Sequence, residues 1–264
     1  MKVPVYSTKG EKTGEMNLAK AFSQPVRKDL IKKAVLYEQS LTRQAYGADP
    51  LAGKRTSAHY HGRRGIRHSM MNREMARMKR IHGQGHLNFT ARFVPQAVKG
   101  RKAHPPKAEK IWEKKMNKKE FLKALLSAVS ATGKKEMVEE RGHKITGVKH
   151  VPMVIDDNFQ ELKKAKEVRE ALHAIGFDKD LERAESKKVR AGRGTMRGRK
   201  YTRKKGPLIV VGEDKGIEKA GRNLAGVDIV TVKNLSLELL APGTHPGRLC
   251  LWTKSAMNEL DKLN

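Results

Sequence analysis

Cysteine is nearly absent: Cys250 is the only one in 264 residues. A single thiol cannot close an intramolecular disulfide, and it excludes a zinc site built on cysteines. Acidic residues are scarce beside basic ones, 28 against 57, which leaves a net charge of +29. Aromatic residues make up 5% of the chain and apolar residues 38%, a low share for a chain that buries all of itself. Part of the chain is therefore expected to lack a core of its own. No apolar run approaches the ~20 residues of a membrane-crossing helix. The opening Met1-Lys2-Val3-Pro4-Val5-Tyr6 has no apolar signal-peptide stretch. There is neither a basic amphipathic helix nor a lipidation signal. The expectation is a cytosolic protein without a membrane partner.

What the chain does have is positive charge in two blocks. Segment 43–110 holds 16 Lys or Arg against three acids, a net of +13. Segment 187–205 holds ten Lys or Arg in 19 residues and no acid. The other 177 residues carry only +6 between them. Such a surplus repels itself unless a polyanion neutralises it. Nucleic acid is the expected partner, because each neutralised phosphate releases a condensed counterion.

Outside those blocks the pattern is α/β. Val3-Pro4-Val5-Tyr6 reads as a strand, and 27–44 carries apolar positions at helical spacing (Leu30, Ile31, Ala34, Val35, Leu41). A second helix is predicted over 107–131, with Ile111, Trp112, Met116, Phe121, Leu122, Leu125, Leu126 and Val129 as its stripe and Gly133 as its stop. Met153-Val154-Ile155 is a strand; Asp157 and Gln160 fit a capping box opening a helix over 158–175. Leu208-Ile209-Val210-Val211 and 227–232 are apolar, β-branched runs followed by helical sequence. Leu249-Cys250-Leu251-Trp252 is a last strand before a terminal helix from Ser255. Continuous apolar strands alternating with helices predict a mainly parallel sheet flanked by helices. The body is expected over 1–45 with 107–264, and a long inserted non-globular arm over 46–106.

The arm contains seven glycines, four prolines and six of the ten histidines, with no sustained apolar period. It cannot bury enough apolar surface to offset its ordering entropy, so it should order only on a partner. As an out-and-back excursion of about 30 residues each way, it could reach up to ~100 Å. Candidate RNA-binding residues near its start are Lys54, Arg55, His59, His61, Arg63, Arg64 and Arg67. Further along come Arg73, Arg77, Lys79, Arg80 and His82, and on the return Arg92, Lys99, Arg101, Lys102 and Lys107. Arginine offers a fork that grips phosphate and stacks on bases, and interspersed glycine lets backbone approach phosphate closely. A solvated disordered tail is the bland alternative, but such tails are usually terminal and this segment is inserted between helices. His59 and His61 are two apart and His82 and His86 four apart. Metal ligation needs further ligands, and Glu74 is the only nearby carboxylate, so no metal or other cofactor is expected.

The second block supplies Arg190, Arg193, Arg197, Arg199, Lys200, Tyr201, Arg203, Lys204 and Lys205, with Tyr201 as a stacking option. It contains no Gly-Lys-Ser/Thr and precedes a strand rather than following one, so it is not a nucleotide loop. Asp156-Asp157 reads as a helix cap. Cys250 reads as core. No nucleophile, base and orienting group come together, so catalysis has no support. An RNA-modifying enzyme is the alternative, and it would need a glycine-rich turn directly after a strand. Val211-Gly212-Glu213-Asp214-Lys215-Gly216 comes nearest and lacks the spacing. A DNA-compacting protein is a third class.

Three ordered stretches resemble a known family. They are Val94-Pro95-Gln96-Ala97-Val98-Lys99-Gly100-Arg101 with Ala103-His104-Pro105-Pro106-Lys107; Gly194-Thr195-Met196-Arg197-Gly198-Arg199 through Lys205-Gly206-Pro207-Leu208-Ile209-Val210; and Leu240-Ala241-Pro242-Gly243-Thr244-His245-Pro246-Gly247-Arg248-Leu249 with Leu251-Trp252-Thr253. With Pro4-Val5-Tyr6 and the inserted arm, the chain is similar to the large-subunit ribosomal protein L-four family, in its archaeal form. The resemblance implies an α/β body bound to large-subunit rRNA, beside neighbouring ribosomal proteins. It also implies an early role in subunit assembly, no catalysis, and an arm that helps line the nascent-peptide exit tunnel. The arm tip, and with it the residues facing the nascent peptide, should lie within about 63–86.

Overall fold

Leu208-Ile209-Val210-Val211 is apolar at every position, and such a strand is stable only with both its faces covered. The computed structural model, which describes residues 2–83 and 85–263, covers both. By contacts the chain divides into two units, residues 1–42 with 113–264 and residues 43–112.

The first unit begins with strands β1 (Lys2–Tyr6) and β2 (Lys12–Asn17) and helices α1 (Lys28–Leu41), α2 (Lys118–Thr132) and α3 (Lys135–Glu140). There follow β3 (Met153–Ile155), α4 (Ala165–Ala174), α5 (Asp178–Glu185), β4 (Lys187–Val189) and β5 (Tyr201–Arg203). The unit ends with β6 (Leu208–Val211), α6 (Ile217–Gly221), β7 (Asp228–Thr231), α7 (Leu237–Leu240), β8 (Cys250–Thr253) and α8 (Lys254–Leu260). Six strands form one sheet in the order β2-β1-β3-β8-β6-β7. Every pairing is parallel except β1 with β2. Successive side chains of a strand point to opposite faces. Val3, Val5, Val154, Leu208, Val210 and Trp252 therefore share one face with buried residues of α1, α2, α7 and α8. Met153, Ile155, Ile209, Val211 and Leu251 share the other with α4, α5 and α6. The α/β class with a mainly parallel sheet flanked by helices is thus the observed one.

Two predicted helices are shorter than their patterns. The second starts at Lys118 and not at 107, after an extended Asn117. Ile111 of its predicted stripe is 83% exposed. Trp112 instead stacks on Tyr46 at 5.7 Å, with the Arg43 guanidinium 3.8 Å and the Lys110 ammonium 4.4 Å from its ring. The aromatic found partners outside a helix, and tertiary contact overrode the local period. The predicted helix over 158–175 is broken into a 3-10 turn, Asp157–Glu161, and α4. Asp157 and Gln160 do bond to each other, but Asp157 also accepts from the Ser255 backbone at the start of α8. α4 closes with Phe177 N–H on the Leu172 carbonyl across Gly176, whose φ of +91° suits glycine. A Cβ there would lie 2.0 Å from the Gly147 carbonyl oxygen.

The second unit has turns and two isolated antiparallel bridges, His59 with Arg80 and Arg80 with Ala91, but no helix or longer strand among its described residues. Its limbs run side by side: Ala48 N–H donates to the Pro106 carbonyl at 2.9 Å, and Gly53 lies against Gly100 and Arg101. Ala58, Met70 and Arg80 are buried within it.

Candidate nucleic-acid interface

The block over 187–205 folds as a hairpin that the sequence reading did not anticipate. Lys187, Lys188 and Val189 pair antiparallel with Arg203, Thr202 and Tyr201. Arg190 continues the ladder, its N–H donating to the Lys200 carbonyl at 2.7 Å and its Nε to the Arg199 carbonyl at 3.0 Å. Gly192 and Gly198, at φ +82° and +75°, make the turn at the tip. No strand residue of the hairpin is buried: Val189 is 56% and Tyr201 46% exposed. An isolated two-stranded ribbon has marginal stability, and this one also concentrates like charge. It presents Arg193, Arg197, Arg199 and Lys200 to solvent from one loop. The Tyr201 ring has the ammonium groups of Lys187 at 4.8 Å and Lys200 at 5.5 Å. Of the remaining candidates, Arg203 and Lys204 are exposed, and Lys205 pairs with Asp228 at 3.0 Å.

In the second unit most of the named cations are exposed: Lys54, Arg63, Arg64, Arg67, Arg77, Lys79, Lys99, Lys102 and Lys107. Arg73 is exposed with its guanidinium 4.4 Å from the Phe89 ring, and Arg101 is partly buried. Arg55 forms an ion pair with Asp49. Two arginines are built into the unit. Arg80 is 9% exposed and donates to the Phe89 carbonyl at 2.8 Å and the Ala76 carbonyl at 3.0 Å. Arg92 donates to the Ala91 and Val98 carbonyls. Charge counting cannot separate such arginines from phosphate-facing ones, because the difference lies in which carbonyls the chain brings near. Gln84, within the expected tip, lies outside the described residues.

A third basic surface joins two of the predicted cations, Lys204 and Lys205, to residues that the sequence reading did not name. Arg141, Arg183, Lys204 and Lys205 line one cleft with His143 and Gly243. Arg141 and His245 also line a neighbouring one with Lys28 and Lys32. Arg141 holds the 242–245 loop through the His245 and Pro242 carbonyls. Burial, with help from the nearby Arg248 and Arg183 charges, lowers its pKa to about 10, so it stays charged at neutral pH. The signal was the turn-rich Pro242-Gly243-Thr244-His245-Pro246-Gly247 stretch, but its basic partners come from distant positions.

Beneath this surface lies a buried polar group. The Asp180 carboxylate accepts from His143 Nδ1 at 3.0 Å, from the Lys144 backbone at 3.0 Å and from Arg183 Nε at 2.8 Å. Arg183 also donates to the Lys205 carbonyl at 2.7 Å, which ties the end of the basic hairpin to the body. Burial works against the Asp180 charge, but hydrogen bonds from His143 and Arg183 outweigh it and hold its pKa below the usual carboxylate value. Burial lowers the pKa of His143, against the opposing pull of Asp180. Both folded pKa values are therefore depressed. The stability from His143 is fully present above its unfolded value of about 6.5, and that from Asp180 above about 3.9. Each is lost as pH falls through the folded value. Urea midpoints should be flat from pH 8 to 7 and then decline on acidification, and His143→Gln should flatten the decline just below pH 6.5.

The carboxyl ends of the parallel strands, where α/β enzymes seat their ligands, are filled by the chain itself. Gln160 donates to Asp157 at 2.9 Å and Ser255 at 2.6 Å, and accepts from the Glu213 backbone at 3.0 Å. Gly212 N–H donates to Thr253 Oγ1 at 3.3 Å, and a Cβ on Gly212 would lie 2.5 Å from Ser255 Oγ. Asp156 accepts from the Asp157 N–H, a capping role. Burial pushes the Cys250 thiol up to about 12, which makes it a poor nucleophile. Among the described residues no helix is long and apolar enough to cross a membrane.

The sequence matches a family profile described as "Ribosomal protein L4/L1 family" over residues 16–263. Curated relatives called "Large ribosomal subunit protein uL4" span nearly the whole chain. The one from Archaeoglobus fulgidus is 48% identical over 261 residues, 98% of each chain. Those from Methanosphaera stadtmanae and Methanopyrus kandleri are each 46% identical, over 99% of this chain and 97% and 98% of theirs. A basic hairpin, a basic inserted unit and a sheet whose ligand crevice is closed by its own side chains accompany that match from end to end, and the chain belongs to the ribosomal protein L4/L1 family.

Proposed function

We propose that this protein is a structural constituent of the large ribosomal subunit that binds large-subunit rRNA and contacts neighbouring ribosomal proteins in the cytoplasmic ribosome. It is not an enzyme. The observation that carries this reading is the arrangement of charge: an exposed hairpin with ten cations and an inserted unit of net +13, both on a body of little net charge. Counterion release makes such surfaces bind a polyanion with a steep salt dependence. The body supplies folding stability, and the two basic elements supply RNA contact. In finer detail, the inserted unit enters the rRNA, assists early assembly and helps line the exit tunnel, with the nascent peptide passing near residues 63–86. The family resemblance supports that destination.

The test is rRNA binding as a function of salt. Replacing Arg193, Arg197 and Arg199 together by alanine should lower the slope of log K against log salt by about 2, since each phosphate contact contributes roughly 0.7–0.9. Binding should weaken uniformly across RNA sequences, because phosphate contacts carry no base information. An unchanged slope would remove the hairpin from the interface. Equal affinity for duplex DNA at matched salt would favour the DNA-compacting class instead.

A further inference from the structure

We propose that His59, His61 and His82 form a three-imidazole site for a divalent transition-metal ion of the zinc class. Sequence spacing set His82 beside His86, where no third ligand follows. The fold instead carries His82 across to His59 and His61. The ligating nitrogens of the three rings all lie within 4.8 Å of one another. Their ring centroids are 4.2, 4.4 and 4.6 Å apart, at interplanar angles of 61°, 74° and 73°.

Backbone pairing creates the cluster. His59 and Arg80 exchange two backbone hydrogen bonds, at 3.2 and 3.1 Å. The bridge is an isolated one, so it fixes a single crossing point of the two segments, and the irregular backbone on either side of it brings the His61 and His82 rings to His59. The neighbouring backbone is tied down as well: Met70 N–H donates to the His61 carbonyl at 3.0 Å, and Ile81 and Phe89 pair at 2.9 Å. The rings stand on an ordered frame, and His68 packs against His82 at 5.0 Å.

In two of the three rings the proton sits where a metal site requires it. His59 Nδ1 lies 3.0 Å from the Ser57 carbonyl, so it carries the hydrogen and leaves Nε2 a lone pair. His61 Nε2 donates to His59 Nε2, and that proton is released when both nitrogens ligate. His82 Nε2 lies 3.3 Å from the His59 carbonyl and donates to it. His82 Nδ1 is then the lone pair, and it is buried without a hydrogen-bond partner among the described residues. A ligating histidine commonly gives its other N–H to a backbone carbonyl, as two of these do. Three imidazoles with a fourth position open to water are a known zinc donor set. The net charge of the surrounding segment, +13 over 43–110, opposes a cation, so binding should tighten as that charge is neutralised.

Titration of the full-length protein with Co2+, read by the visible absorption of tetrahedral cobalt and reversed by Zn2+, tests the site. One equivalent should bind. His61→Ala and His82→Ala, made separately, should each weaken binding by at least about tenfold. His104→Ala, outside the cluster, should leave it unchanged. Far-UV circular dichroism of each variant reports whether the body remains folded. The absence of tetrahedral cobalt binding in the wild-type chain would overturn the proposal. So would binding that survives in the variant lacking all three histidines, which would mark it as adventitious.

Discussion

Replacing Arg248 by methionine should destabilise the protein by about 3–5 kcal/mol, read as a lower urea midpoint at an unchanged slope. Arg248 is completely buried, and its guanidinium lies at the amino ends of β6 and β7. Its Nε donates to the Gly206 carbonyl at 2.9 Å, and Nη1 to the Leu239 carbonyl at 2.9 Å. Nη2 reaches the Asp228 carboxylate at 2.6 Å and the Gly226 carbonyl at 3.3 Å. Methionine fills much of the same volume, so the loss would be polar rather than steric. It leaves the Gly206 carbonyl, a carbonyl on α7 and the Asp228 charge without this donor, and an unpaired buried polar group is costly. Asp228→Asn should cost less, because asparagine can still accept from Arg248 and Lys205 loses only a surface pair. If the two substitutions cost the same, the carbonyl contacts contribute nothing and the ion pair alone matters.

Deleting residues 60–90 should leave the body cooperatively folded and cut the salt slope of rRNA binding by about 5. The segment holds six exposed cations, Arg63, Arg64, Arg67, Arg73, Arg77 and Lys79, besides the buried Arg80. Both hydrophobic clusters of the body lie wholly outside it, so the deletion removes no buried apolar surface from the sheet. Body stability should change by less than about 0.5 kcal/mol, as expected where no core contact is lost. Subunits built with the shortened chain should assemble poorly or show altered nascent-chain passage. A body that unfolds on deletion would place the arm within the core and move the proposed boundary.

Several elements were legible because burial demands them. A fully apolar tetrad such as Leu208-Ile209-Val210-Val211 has few stable fates other than an inner parallel strand, and it is one. The Met153–Ile155 strand and the terminal helix followed from the same reasoning, α8 beginning one residue early at Lys254. The helix predicted from 107 failed because a period of three and four records only where apolar groups could align. Trp112 met Arg43 and Tyr46 before it met a helical neighbour. Strand β2, Lys-Thr-Gly-Glu-Met-Asn, escaped notice because it is an edge strand with nearly every side chain in water.

The basic elements were legible as charge and illegible as geometry. Counting lysines and arginines located both blocks, since a surplus of charge is additive along the chain and needs no fold. It could not show that 187–205 is a hairpin, because its ladder is made of backbone groups that every residue carries. Nor could it separate Arg80 and Arg248, which hold carbonyls inside, from Arg197 and Arg199, which face solvent.

The amino-acid sequence by itself determined the α/β class, the covered parallel strands and the segregation of charge, because hydrophobicity and charge are properties of the residues alone. Only the tertiary structure decided which polar groups meet: the closure of the strand ends by Gln160 and Ser255, the burial of Asp180 under a basic cleft, and the gathering of three histidines. Those outcomes depend on contacts between residues tens of positions apart. Hydrogen bonds and ligation act over a few ångströms, so nothing short of the folded chain sets them.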